Sequence, residues 1–172
     1  MAARREAGVP LIDIETALRV LSEGQVEFIV VGGVAARAHG SARLTNDLDV
    51  VYNRTPENLR RLTAALAAHS PYLRGAPPGL PFRLDEETLR RGLNFTLTTS
   101  FGDLDLLGEI TGGGGHDALA AHSTVVPAFG LEVRCLNLDR LIQTKRAAGR
   151  PKDLEAIAEL EALLEERDRP RD

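Results

Sequence analysis

The chain has 172 residues, 43% of them hydrophobic and 27% charged, with 21 Lys+Arg against 25 Asp+Glu and a net charge of -4. That length suits one domain with a real core, and the mild acidity does not announce nucleic-acid binding across a broad basic face, with Arg37, Arg43, Lys145, Arg146, Arg150 and Lys152 as candidates for a local cluster that binds a phosphate-rich substrate. The single cysteine, Cys135, excludes an internal disulfide, Met1–Glu6 lead into no apolar segment, and no run approaches the roughly 18 apolar residues of a membrane span, so a cytoplasmic protein with no membrane partner is expected.

In chain order, Ile14, Ala17, Leu18 and Leu21 recur at helical spacing between Asp13 and about Glu23, with Gly24 as the stop. The run Phe28 to Val31 reads as an interior strand. A short alanine-rich helix from Val34 to His39 opens on Gly32-Gly33 and ends at Gly40-Ser41, and Asp47 to Tyr52 forms the second strand. Thr55-Pro56-Glu57 supplies a cap and a first-turn proline for a helix to about Ala68. Ser70 to Pro81, rich in proline and glycine, reads as a surface loop, and Asp85 to Arg91 as one or two helical turns.

Asn94 to Thr99 alternates apolar and polar residues, and Ser100-Phe101-Gly102 turns it into Asp103 to Glu109 as an antiparallel hairpin. Gly112 to Gly115 reads as a flexible joint, followed by a brief helix from His116 to His122. Thr124 to Pro127 and Leu131 to Leu136 are short strands. Asn137 caps a helix from Leu138 to Ala148, and Arg150-Pro151 starts a last helix to about Arg167, with Leu154, Ile157, Leu160 and Leu164 inward and the acidic run Glu155 to Glu166 solvated. No internal repeat is present. The order implies an α/β protein with a mixed β-sheet flanked by helices and a two-helix C-terminal segment, one domain over 1–172 with its core at about 26–136 and its C-terminal helices at about 137–168.

The informative stretch is Val30-Val31-Gly32-Gly33-Val34, followed by Asp47-Leu48-Asp49-Val50-Val51 with thirteen residues between Gly33 and Asp47. Side chains two apart on a strand share a face, so Asp47 and Asp49 present their oxygens together. Two adjacent anions on an apolar strand call for a cation, and a hard divalent ion such as Mg²⁺ is bound through one or two carboxylates plus substrate phosphates. Phosphoryl or nucleotidyl transfer needs a further acid from elsewhere. Leu104-Asp105-Leu106-Leu107 is the best supplier: Asp105 lies between apolar residues inside a strand, whereas its rival Asp103 sits nearer the turn. Asp105 would then also accept the proton of an attacking hydroxyl.

These residues resemble the DNA polymerase β-like nucleotidyltransferase superfamily, whose signature is apolar-Gly-Gly/Ser, a spacer, then Asp-apolar-Asp. Gly40-Ser41-Ala42-Arg43-Leu44-Thr45-Asn46-Asp47-Leu48-Asp49 is similar to the Arg-x-Thr-x-Asp-x-Asp string of AbiEii-like nucleotidyltransferase toxins and their short bacterial relatives. Leu138-Asp139-Arg140-Leu141-Ile142-Gln143-Thr144-Lys145, with Arg150-Pro151-Lys152-Asp153 behind it, is similar to that group's helical lysine motif. The likeness runs roughly from Val26 to Leu160. It implies the nucleotidyltransferase fold, with Asp47, Asp49 and Asp105 as catalytic acids and ligands of Mg²⁺ or Mn²⁺. It also implies that Gly32 and Gly33 bring the backbone and a helix N-terminus to the triphosphate, with Lys145 and Arg43 on the phosphates. The substrate would be an NTP such as ATP and the acceptor a hydroxyl on a tRNA 3′ end or a protein, in a toxin–antitoxin setting with a cognate antitoxin as partner. Arg150, Lys152 and Asp153 match the motif with their roles open. The chain carries only two helices after Asn137, unlike the longer toxins.

Two other readings compete: a nucleotidyltransferase acting on a small molecule of the aminoglycoside type, and a non-catalytic nucleotide- or partner-binding module on the same fold. A P-loop is excluded because no Gly-Lys-Ser/Thr follows Gly112 to Gly115. Zinc is disfavoured because His39, His69, His116 and His122 lack ligand spacing with Cys135, and no Gly-x-Ser-x-Gly supports a hydrolase triad.

Overall fold

The structure is a computed structural model that describes residues 11–171, so Met1–Glu6 lie outside the described residues. These hold seven α-helices and nine strands. The helices are α1 (Ile14–Glu23), α2 (Gly32–Ala38), α3 (Pro56–Leu66), α4 (Glu86–Arg91), α5 (His116–Ala120), α6 (Leu138–Ala148) and α7 (Pro151–Asp168). The strands are β1 (Phe28–Val31), β2 (Asp47–Tyr52), β3 (Tyr72–Leu73), β4 (Asn94–Thr99), β5 (Gly102–Leu107), β6 (Glu109–Ile110), β7 (Gly114–Gly115), β8 (Ser123–Ala128) and β9 (Leu131–Leu136). Among the described residues no helix is long and apolar enough to cross a membrane.

Seven strands form one mixed sheet in the order β3-β4-β5-β2-β1-β9-β8, and β6 and β7 form a separate hairpin. The continuous apolar run of β1 has its explanation here: all four residues are buried, with β2 antiparallel on one side and β9 parallel on the other. The β2–β5 pair is parallel and in register, Asp47 opposite Asp103, Leu48 opposite Leu104, Asp49 opposite Asp105. Leu48, Val50, Leu104 and Leu106 are fully buried, so the alternate residues of both strands project together from the other face. α2 packs on β1 and β2, and α6 packs on α2 and α7.

Caps and punctuation set the helix bounds. Asp13 caps α1 by accepting from the Thr16 N–H, and Thr55 caps α3 with Pro56 in its first turn. α4 is capped by Asp85, while the Asn137 side chain accepts from the Thr124 hydroxyl and leaves the α6 N–H groups without a side-chain cap. Four expectations change. The segment read as a surface loop after Ser70 contains β3, paired to β4 at the sheet edge. The second arm of the predicted hairpin stops at Leu107, and Glu109–Ile110 pairs with Gly114–Gly115, so part of the glycine run is ordered strand rather than a joint. Asp103 is buried at 9% exposure within β5 rather than at a turn. Leu154, expected inward, is 66% exposed, because the inward positions of α7 start from buried Asp153 and continue through Ala156, Ile157 and Leu160.

One buried amide ties the first helices to the sheet. Asn58, 1% exposed in α3, accepts from the Glu27 N–H at 2.7 Å and donates to the carbonyls of Glu27 (3.0 Å) and Asn53 (2.7 Å). Replacing it by leucine orphans the Glu27 N–H and the Asn53 carbonyl, where β1 begins and β2 ends, while the Glu27 carbonyl keeps the Asn53 N–H at 3.1 Å. Asn58→Leu is expected to lower stability by about 2–3 kcal/mol in urea unfolding. A loss under about 0.5 kcal/mol would show that water or rearrangement satisfies them instead.

Candidate active site

The site grows out of the β2–β5 register. Asp47, Asp49 and Asp105 each offer an oxygen to one cluster, the three atoms lying within 4.8 Å of one another. Asp103 shares the face but stands outside that cluster. The three acids named from the sequence are thus brought together by the fold.

Two glycines allow the crowding. Gly32 takes a left-handed backbone with φ of 64°, and a Cβ there would sit 2.1 Å from Asp49 Oδ2. At Gly33 a Cβ would meet Thr45 Oγ1 at 2.9 Å. Thr45 in turn donates to the Asp47 carbonyl at 3.0 Å, with Asp47 Oδ1 also in reach at 3.2 Å. The spaced glycine and Thr-x-Asp-x-Asp elements thus pack on each other directly: α2 starts against the acids, and Thr45 fixes the first of them.

The electrostatics of the acids favour a cation or a shared proton among them. Burial is the main reason that the Asp49 carboxyl is pushed up to about 8, helped by the charge of Asp47 and by the hydrogen bond and charge of Asp105. Burial also pushes Asp103 up, opposed by the charge of Arg74 and reinforced by Asp47 and Asp105. Asp49 Oδ1 is buried without a hydrogen-bond partner. Three convergent carboxylates, with a buried unpartnered oxygen on Asp49, suit a hard divalent ion, so the residues present fit Mg²⁺ or Mn²⁺. The group that sequence reasoning missed is Arg74, just after β3: its guanidinium lies 2.7 Å from Asp105 Oδ1, 3.2 Å from Asp103 Oδ2 and 4.0 Å from Asp47 Oδ2. It sits in a proline- and glycine-rich stretch with no spacing relation to the acids, so no sequence signal pointed to it.

Beside the acids a cleft of about 360 Å³ is lined by Gly32 and Gly33, by Arg43 from the loop before β2, and by Lys145, Arg150 and Lys152. Its far wall belongs to the C-terminal helices. Glu159 accepts from the Ser41 hydroxyl, and Glu155 pairs with Arg43 at 3.1 Å, so these α7 acids clamp the loop before β2 rather than simply facing solvent. Lys145 is 3.8 Å from the buried Asp153 carboxylate, which also accepts from Arg150 Nε at 2.9 Å. Burial pushes Asp153 up, but the hydrogen bonds of Arg150 and the charges of Arg150 and Lys145 outweigh it and leave the carboxyl below its usual range. A second cavity of about 400 Å³ shares Gly32, Asp49, Lys145 and Arg150 with the cleft and adds Asn94 and Thr144 beside apolar Leu107, Ile110 and Leu141.

Two expected outcomes follow. Gly32→Ala, strained in the left-handed region and pressed on Asp49, should cost about 1–2 kcal/mol in thermal or urea unfolding; a neutral effect would show that Asp49 can move aside. Because the Asp153 pKa is depressed in the fold, its contribution is present above the ordinary carboxylate value of about 4 and is lost as the pH falls through the folded value. Asp153→Asn should therefore cost about 1–2 kcal/mol at pH 7, with the gap to the wild type closing below about pH 4. A gap unchanged at pH 3 would contradict the pairing.

No family model matches the chain, and no curated protein does. Among solved structures it is similar to that of TM1012 from Thermotoga maritima, described as a "putative nucleotidyltransferase", with a TM-score of 0.52 and 17% sequence identity over 87% of this chain and 94% of that chain. The chain has the nucleotidyltransferase fold.

Proposed function

We propose that this protein is a metal-dependent nucleotidyltransferase that moves a nucleoside monophosphate from an NTP to a hydroxyl acceptor and releases pyrophosphate. The observation that carries this reading is the meeting of Asp47, Asp49 and Asp105 in a cleft that is also lined by four cations, Arg43, Lys145, Arg150 and Lys152. A divalent ion bound by the three acids supplies positive charge at the reacting phosphate. The chain's own residues do the rest. Lys145, with Arg150, Lys152 and Arg43, offsets the charge of the triphosphate and of departing pyrophosphate. Gly32 and Gly33, lacking side chains, let the phosphates approach the backbone. The acceptor oxygen attacks the α-phosphorus, the bond to the β-phosphate oxygen breaks, and the Asp105 carboxylate takes the hydroxyl proton. The mixed cavity beside Asp49 receives the nucleoside, its apolar wall against the base.

The Arg43-Leu44-Thr45-Asn46-Asp47-Leu48-Asp49 string favours the AbiEii-like branch, with a tRNA 3′ end or a protein as acceptor and a cognate antitoxin as partner. In a second reading the cavity beside Asp49, of about 400 Å³, takes a small hydroxylated acceptor in place of the nucleoside.

Incubation with α-labelled NTPs, Mg²⁺ and, in parallel, total tRNA, lysate protein or an aminoglycoside tests the proposal. Label should pass to one acceptor class, and Asp49→Ala should cut transfer by about a thousandfold or more. That variant should keep its fold, since it removes one of several repelling acids. Unchanged turnover in Asp49→Ala would refute the acid assignment, and NTP binding without transfer would make the chain a binding module.

A further inference from the structure

Arg74 is held at root and tip. Its backbone N–H donates to the Thr96 carbonyl at 3.0 Å and one guanidinium nitrogen donates to the Leu97 carbonyl at 2.9 Å, so β4 delivers the charge to the acids. The fork spans Asp105, Asp103 and Asp47 but makes no ion pair with Asp49, whose Oδ1 stays unpartnered. Its Nε faces Asp103 Oδ2 as a charge contact without hydrogen-bond alignment. One arginine thus serves three carboxylates, and it holds the very residue, Asp105, that belongs to the metal-ligand cluster.

We propose that Arg74 is a resident counter-cation that competes with the divalent ion for Asp105, with Asp103 as the carboxylate that keeps the arginine when Asp105 is given up. This rests on the metal site described above. Two cations on one carboxylate repel, so an ion entering among Asp47, Asp49 and Asp105 displaces the guanidinium from Asp105 Oδ1. Asp103, buried, outside the ligand cluster and already 3.2 Å from Nε, retains it. Arg74 is then a positioning residue: before metal arrives it damps the repulsion among the acids and holds Asp105 in place, and the exchange sets the metal concentration at which the site fills.

Mn²⁺ titration of the full chain, followed by paramagnetic resonance or calorimetry, tests this without reference to turnover. Arg74→Gln should bind Mn²⁺ about tenfold more tightly than wild type. Asp103→Asn should weaken binding in the wild-type background and do so far less beside Arg74→Gln, because no arginine then remains to be parked. Arg74→Lys keeps the charge without the fork, falls between the two, and carries the test should the glutamine variant not fold. Equal or weaker Mn²⁺ binding in Arg74→Gln, or in Arg74→Lys in its place, overturns the proposal while leaving the metal site standing. If wild type, Arg74→Gln and an Asp49→Asn control all fail to bind Mn²⁺, the site itself falls and the exchange with it.

Discussion

The in-register parallel pairing of β2 with β5 is the constraint on which the site depends. Leu48, Val50, Leu104 and Leu106 are fully buried on one face, and moving either strand by a single residue would turn them outward and bury the acids. Burial of each such side chain is worth about 1.5–3 kcal/mol, so the core holds the register against the mutual repulsion of Asp47, Asp49, Asp103 and Asp105. The hydrophobic face of the pair is thereby what makes the acidic face possible. Four acids face one arginine, and the buried Asp49 Oδ1 has no hydrogen-bond partner among the described residues.

The rest of the molecule shapes space around this point. Gly32 and Gly33 let α2 start against Asp49 and Thr45 with no side chain between, and Thr45 fixes Asp47 through its hydroxyl. From the opposite side, α6 brings Lys145 and the start of α7 brings Arg150, both gathered on buried Asp153. Glu155 and Glu159 then tie α7 to the loop that precedes β2. One cleft is thus lined both by the three convergent acids and by Arg43, Lys145, Arg150 and Lys152.

What the sequence made legible divides along physical lines. The burial of β1 and the alternation in β2 follow from period and composition, so Phe28–Val31 and Asp47–Tyr52 are found at the expected bounds. Asp105 was recoverable because an acid inside an apolar strand has few structural reasons to be there. Arg74 was not, because its role depends on a two-residue edge strand inside a Pro/Gly-rich stretch, and so short a pairing leaves no periodic trace. Gly114–Gly115 likewise pairs through backbone alone, which side-chain patterning cannot register. The exposed Leu154 marks the reverse case: at the start of α7 the inward position belongs to Asp153, which is buried by its ion pairs, and hydrophobicity pointed to the wrong neighbour.

Anomalous diffraction from crystals grown with Mn²⁺ and a non-hydrolysable NTP analogue addresses the acid cluster itself. Manganese density among Asp47, Asp49 and Asp105, with the triphosphate running along Gly32, Gly33 and Lys145, is the predicted result. Ordered nucleotide with no manganese at those three carboxylates, or manganese bound elsewhere on the chain, would contradict it.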